Sequence, residues 1–116
     1  MSLTAAQLRR IRQRTKDIRA AINALDYVSS GTLHTRTKVC GRPNCRCAQD
    51  PAARHGPYFE WSRRIQSRLL HRVISEPQAQ WVQRAIANHR LILRLLSEWE
   101  QHTAEELLQG PAEQDR

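Results

Sequence analysis

Two helical stripes bracket a stretch of alternating residues. Leu8, Ile11, Thr15, Ile18, Ile22 and Leu25 recur at 3,4,3,4,3 spacing, the signature of one helix face with heptad character. Thr4-Ala5-Ala6-Gln7 fits a capping box: the Thr4 hydroxyl accepts from the Gln7 amide, and the Gln7 side chain reaches back. The pattern predicts a helix running to about Ser29-Ser30, roughly 39 Å long. Gly31 would then take the left-handed conformation of a C-cap.

From Thr32 to Val39 the period changes to two. Leu33, Thr35, Thr37 and Val39 alternate with His34, Arg36 and Lys38, and the β-branched residues favour a strand. Tyr58–Arg63 and Arg68–Ile74 read as two further strands. Phe59, Trp61 and Arg63 share one face of the first, and Leu69, His71 and Val73 share one face of the second. Arg64-Ile65-Gln66-Ser67 between them offers neither Gly nor Asn, so the hairpin turn is weakly signalled.

Ser75-Glu76-Pro77-Gln78 opens a second helix with another capping box and a Pro in its first turn. Val82, Ile86, His89, Leu93, Leu96 and Trp99 mark its apolar face, widened by Ile92, Leu95, Leu107 and Leu108. Gly110-Pro111 ends it after roughly 50 Å.

The predicted class is α+β: a long N-terminal helix, a three-stranded antiparallel sheet and a long C-terminal helix. The segments are a basic helix (1–30), a loop-and-sheet module (31–75), the second helix (76–110) and a flexible tail (111–116), all in one domain. Three short strands cannot cover both apolar stripes. The helices are therefore expected to pair as an antiparallel hairpin or coiled coil, within the chain or with a second copy or partner protein.

Between the first two strands lies Cys40-Gly41-Arg42-Pro43-Asn44-Cys45-Arg46-Cys47, followed by His55-Gly56-Pro57-Tyr58. All three cysteines fall within eight residues, and the pattern is Cys-x4-Cys-x-Cys-x7-His. Thiolates and imidazole at such spacing let one loop wrap a tetrahedral zinc ion. Cys40, Cys45, Cys47 and His55 are the expected ligands; His34 or a water are alternatives for the fourth place. A disulfide framework does not suit an odd cysteine count, and a Cys45–Cys47 bridge would close a strained ring. A metal-free reactive thiol cluster acting as a redox sensor is the other reading of these residues.

The charge is uneven. Residues 1–75 carry 15 Lys and Arg against 4 Asp and Glu, net +11, whereas residues 76–116 carry 4 against 7, net −3. A polyanion is the natural partner of such a body, DNA or RNA above all. Arg36, Lys38, Arg42, Arg46 and Arg54 are expected to form one basic surface, continued by Arg63, Arg64, Arg68 and Arg72. Tyr58, Phe59 and Trp61 lie beside it and could stack on unpaired bases; Phe59 and Trp61 also suit the small core, and for Trp61 the core is the favoured place. On the first helix Arg9, Arg10, Arg12, Arg14, Lys16 and Arg19 fall mostly off the apolar stripe, as phosphate contacts or as the solvated face of a coiled coil.

Enzymatic activity is not expected. A zinc with four protein ligands has no open position for water, and no carboxylate adjoins the ligands as a general base. The His-Glu-x-x-His, His-x-Glu, phosphate-loop and nucleophile-elbow patterns are absent from the sequence. No apolar run reaches 18 residues and the first residues lack a secretory pattern, so the cytoplasm is the expected location, without a membrane partner.

Gly31-Thr32-Leu33, the Cys40–Ala48 segment and His55-Gly56-Pro57-Tyr58 resemble a small bacterial family without an assigned activity. That family carries Cys-Gly-Lys/Arg-Pro-x-Cys-x-Cys-Ala and His-Gly-Pro-Tyr motifs and a C-terminal helix. The resemblance covers about residues 30–100. It implies a zinc-knuckle-like fold and, because members are often encoded near transposases and recombinases, an accessory role with mobile elements. The chain departs from the family at the hairpin, where members often carry an Asn-Gly turn.

Overall fold

The computed structural model describes residues 2–110; the expected flexible tail lies outside them. The chain is α+β. Helix α1 spans Ala5–Asn23 and strand β1 Thr32–Lys38. Short 3-10 turns at Arg46–Ala48 and Pro51–Ala53 precede β2, His55–Ile65. Strand β3, Arg68–Ile74, leads into α2, Glu76–Gln109. The described residues form two compact units: 2–26 with 88–110, and 27–87.

In the helical unit, α1 runs antiparallel to the later part of α2. The Leu3 amide bonds the Gln109 carbonyl, Arg14 pairs with Glu98, and Asn88 donates to Asp26. The helices thus pair within one chain. Leu8, Ile11 and Ile18 of α1 are buried, as is Leu95 of α2, and Ile18 has no exposed surface at all. Thr4 and Gln7 close the anticipated capping box.

Helix α1 ends earlier than its stripe predicts. Ala24 donates to the Ala20 carbonyl, Leu25 tightens to an i→i−3 bond on Ile22, and the backbone leaves the helix. In the second unit the following segment is held elsewhere: Ser29 donates to the Ala85 carbonyl, and the Tyr27 ring meets Trp81 edge-on at 5.3 Å. Tertiary bonds and β-branched or polar residues outweigh the helical periodicity. Gly31 therefore serves a different purpose from a C-cap. Its φ is +117°, and a Cβ there would lie 2.3 Å from the Ser62 carbonyl oxygen, so only glycine lets the start of β1 approach β2.

The sheet order is β1-β2-β3, antiparallel throughout. The hairpin between β2 and β3 closes on Gln66 and Ser67, with φ of 50° and 68°. A two-residue turn with both φ positive matches the strand twist even without glycine.

Register sets the faces. Leu33, Trp61 and Arg72 lie opposite one another, as do Thr35, Phe59 and Ile74. On the other face His34, Glu60 and Val73 align, and Ser62 aligns with His71. The Trp61 face adjoins the start of α2, where Ala79, Ala85 and Ile86 are buried, and the Trp61 indole donates to the Ser30 carbonyl. Leu93, Leu96, Leu107 and Leu108, expected on the apolar face of α2, are exposed instead. The helix turns its Ile92–Leu95–Trp99 side inward, and Ser75 with Gln78 forms the expected cap.

Candidate metal centre

The sheet delivers two of the four candidate ligands. Cys40 stands two residues beyond the end of β1, and His55 opens β2. Lys38 pairs with His55 rather than with Gly56, the partner an unbroken register would give; the irregularity lies after Arg36–Tyr58. The extra residue falls in β2 at Gly56-Pro57, a bulge that re-aims the end of the strand. Gly56 has φ +120°, and a Cβ on it would crowd the Tyr58 amide at 3.0 Å and the Arg36 carbonyl at 3.1 Å. Strand β2 accordingly begins three residues earlier than alternation alone implies.

The connecting loop supplies the other two. Gly41, with φ +79°, turns the chain after Cys40. Cys45 precedes the first 3-10 turn and Cys47 lies inside it, 2% exposed. Asp50 fixes the next turn by accepting from the Ala52 amide, and it pairs with Arg46 at 3.4 Å.

Together the Sγ atoms of Cys40, Cys45 and Cys47 and a ring nitrogen of His55 lie within 4.8 Å of one another. Cys40 and Cys47 sulfurs are 3.5 Å apart, and Cys45 Sγ is 3.2 Å from His55 Nε2. Four soft and borderline donors converging at this distance can bind a metal ion. The fourth donor is His55; His34 sits on β1 opposite Glu60 and does not join the cluster.

Local electrostatics already distinguish the thiols. Hydrogen bonding from the Cys47 backbone, then from the Cys47 and Cys40 side chains, holds the Cys45 thiol below its ordinary pKa. For Cys47 the Cys40 backbone amide favours the thiolate, but burial and the adjacent Cys45 and Cys40 together raise it. A bound cation would remove that mutual repulsion.

The basic residues fall into several groups. Arg42, Arg46 and Arg54 belong to the metal loop and are exposed. Arg36 and Lys38 meet on the open face of the sheet around Glu60, at 2.8 and 3.5 Å. Glu60 is 4% exposed and His71 approaches it at 3.5 Å from β3. Burial by itself would raise the Glu60 carboxyl, yet Arg36, Lys38 and His71 hold it below its ordinary range. Tyr58 shares this face, with the Lys38 ammonium 5.1 Å from its ring centre.

Arg64 is also on that side, whereas Arg63, Arg68 and Arg72 alternate to the Trp61 face. The continuous nine-residue surface expected from the sequence is thus divided between two faces, because residues one apart in a strand point oppositely. On α1, Arg12 and Arg14 are engaged by Glu106 and Glu98, while Arg9, Arg10, Lys16 and Arg19 are exposed. Glu60 escaped the sequence reading. Its signal was being the only acidic residue between positions 51 and 75.

No described helix is long and apolar enough to cross a membrane. The model of a family described as a domain of unknown function, DUF6788, matches residues 5–84, and the chain belongs to that family. The match takes in α1, the metal loop, all three strands and the start of α2. No curated protein and no solved structure matches the chain.

Proposed function

We propose that this DUF6788 member is a zinc-stabilised, non-enzymatic nucleic-acid-binding protein. The observation that carries the reading is the metal loop itself: a Cys3His cluster whose surrounding side chains are the exposed Arg42, Arg46 and Arg54. Zinc suits the donors. With Zn–S bonds of about 2.3 Å, tetrahedral sulfurs stand about 3.8 Å apart. The Cys40–Cys47 separation of 3.5 Å is close to that value.

Cys40, Cys45, Cys47 and His55 would fill the four positions of the ion, leaving none for substrate; the metal is therefore structural. Three thiolates around a divalent cation carry net −1, which neighbouring arginines offset while projecting outward from a fixed loop. Phosphates are the natural counter-charge for guanidinium groups held in this way. An accessory role in transposition or recombination follows from the motif resemblance and is part of the proposal.

The test is fluorescence anisotropy on zinc-loaded protein with R42Q/R46Q beside the wild type. The double variant should bind DNA or RNA more weakly, with a salt slope smaller by up to about two. Unchanged affinity removes the loop from the reading.

A second reading rests on Leu93, Leu96, Leu107 and Leu108, which are 53, 40, 69 and 82% exposed on α2. An adaptor would use this face to hold a partner protein or a second copy. Light scattering that shows only monomer at high concentration counts against the self-associating form.

A further inference from the structure

In the sheet unit, a groove of about 670 Å³ lies between Tyr27–Ser29, the Trp61 face of the sheet and the start of α2. Its aromatic surfaces are Tyr27, Trp61 and Trp81, and the Trp81 indole is 52% exposed. Among the described residues Arg72 is the one charged residue lining it. A smaller cavity of about 250 Å³ shares Trp61 and Arg72 with the groove and adds Arg63. Among the described residues no carboxylate lines either cavity.

Arg63 stacks its guanidinium 4.4 Å above the Trp61 ring, yet its Nε is buried without a hydrogen-bond partner. A buried donor left unpaired costs free energy and marks the Arg63 side chain as held in place by its packing on Trp61 rather than by a hydrogen bond at Nε. Two guanidiniums beside a half-exposed indole, which has the Arg84 guanidinium 5.6 Å from its ring centre and the Tyr27 ring at 5.3 Å, match one chemical unit: a planar base joined to a phosphate. Aromatic side chains take any base by its π-face, and arginine takes the phosphate. The size also suits a small ligand site.

We propose that these adjoining cavities hold one unpaired nucleotide of a single-stranded nucleic acid. Its base lies on Trp81, and Arg63 and Arg72 take its phosphate. The inference rests on the nucleic-acid reading above and narrows it to a strand with at least one base out of the duplex. An apolar peptide would bring no counter-charge to Arg63 and Arg72, which is why the nucleotide is preferred.

The test uses a labelled oligothymidylate and a labelled duplex on zinc-loaded protein, comparing wild type, W81A, W81F and R72Q by anisotropy. W81A should lose about tenfold or more in affinity for the single strand. W81F, which keeps an aromatic face, should recover most of it. R72Q should reduce the single-strand salt slope by a little under one. Trp81 is half exposed, so unchanged circular dichroism and zinc content are expected in its variants. Wild-type single-strand affinity in both W81A and R72Q overturns the proposal, as does binding of duplex alone. Either result leaves the general nucleic-acid reading standing. Absence of binding to both probes at low salt removes both together.

Discussion

Lys38 faces His55 across β1 and β2, one residue out of the register that holds from Thr32–Ser62 to Arg36–Tyr58. That slip belongs to the metal centre. Without the bulge at Gly56-Pro57, His55 would present to the opposite side of its strand, away from Cys45. Gly56→Ala should therefore weaken the metal site and the fold together. Its Cβ meets the Arg36 carbonyl at 3.1 Å on a backbone with φ +120°. A loss of about 1–3 kcal/mol in urea unfolding is expected, with lower zinc affinity in a chelator competition. A variant with wild-type values in both would show that the register is fixed elsewhere.

Purified protein should carry about one zinc per chain. Cys45→Ser and His55→Ala should each lower that content, and a strong chelator should lower Tm, because an ion bound by these four residues would tie the 39–54 loop to the ends of two strands. Elemental analysis with a refill step decides the matter. Less than about half an equivalent that does not rise on adding zinc would contradict the assignment and favour free, reactive thiols.

In the helical unit Arg14 bonds Glu98 through two nitrogens and His102 approaches the same carboxylate. The Arg14 hydrogen bond, working against partial burial and aided by His102, lowers the Glu98 pKa to about 2. A depressed carboxylate stabilises the fold above its unfolded pKa and loses that contribution as pH falls through the folded value. The advantage of wild type over Glu98→Gln should hold above pH 5, shrink as the pH falls and vanish only below about pH 2. Urea unfolding of both proteins across that range checks the sign.

Glu60 occupies the position between Arg36, Lys38 and His71, so it competes with any phosphate for those cations. Glu60→Gln should raise affinity for nucleic acid at low salt and steepen its salt dependence, while lowering stability. Unchanged affinity in a folded variant would place the binding surface away from this face.

Much of the architecture was legible because it is local. Both capping boxes, the start of α2, the alternation of β1 and the cysteine spacing each depend on residues a few positions apart. What was not legible depends on distance. Helix α1 stops at Asn23 because Tyr27 and Ser29 find partners on α2 in the sheet unit. The Gln66-Ser67 turn hides because neither residue advertises positive φ. Trp81 sits next to the predicted stripe residue Val82 and outside the apolar stripe. Only the fold brings it beside Trp61 and Arg72 in one groove. Alternation along β2 already separates Arg63 from Arg64, but setting Arg68 and Arg72 on the Trp61 face needed the β2–β3 register.

The most direct measurement compares zinc-loaded and chelator-stripped protein for binding to labelled nucleic acid across a salt series. The account predicts submicromolar binding by the loaded form, falling steeply with salt and largely lost on stripping. No binding by the loaded form at low salt would contradict it, and would leave the exposed leucines of α2 as the surface to pursue.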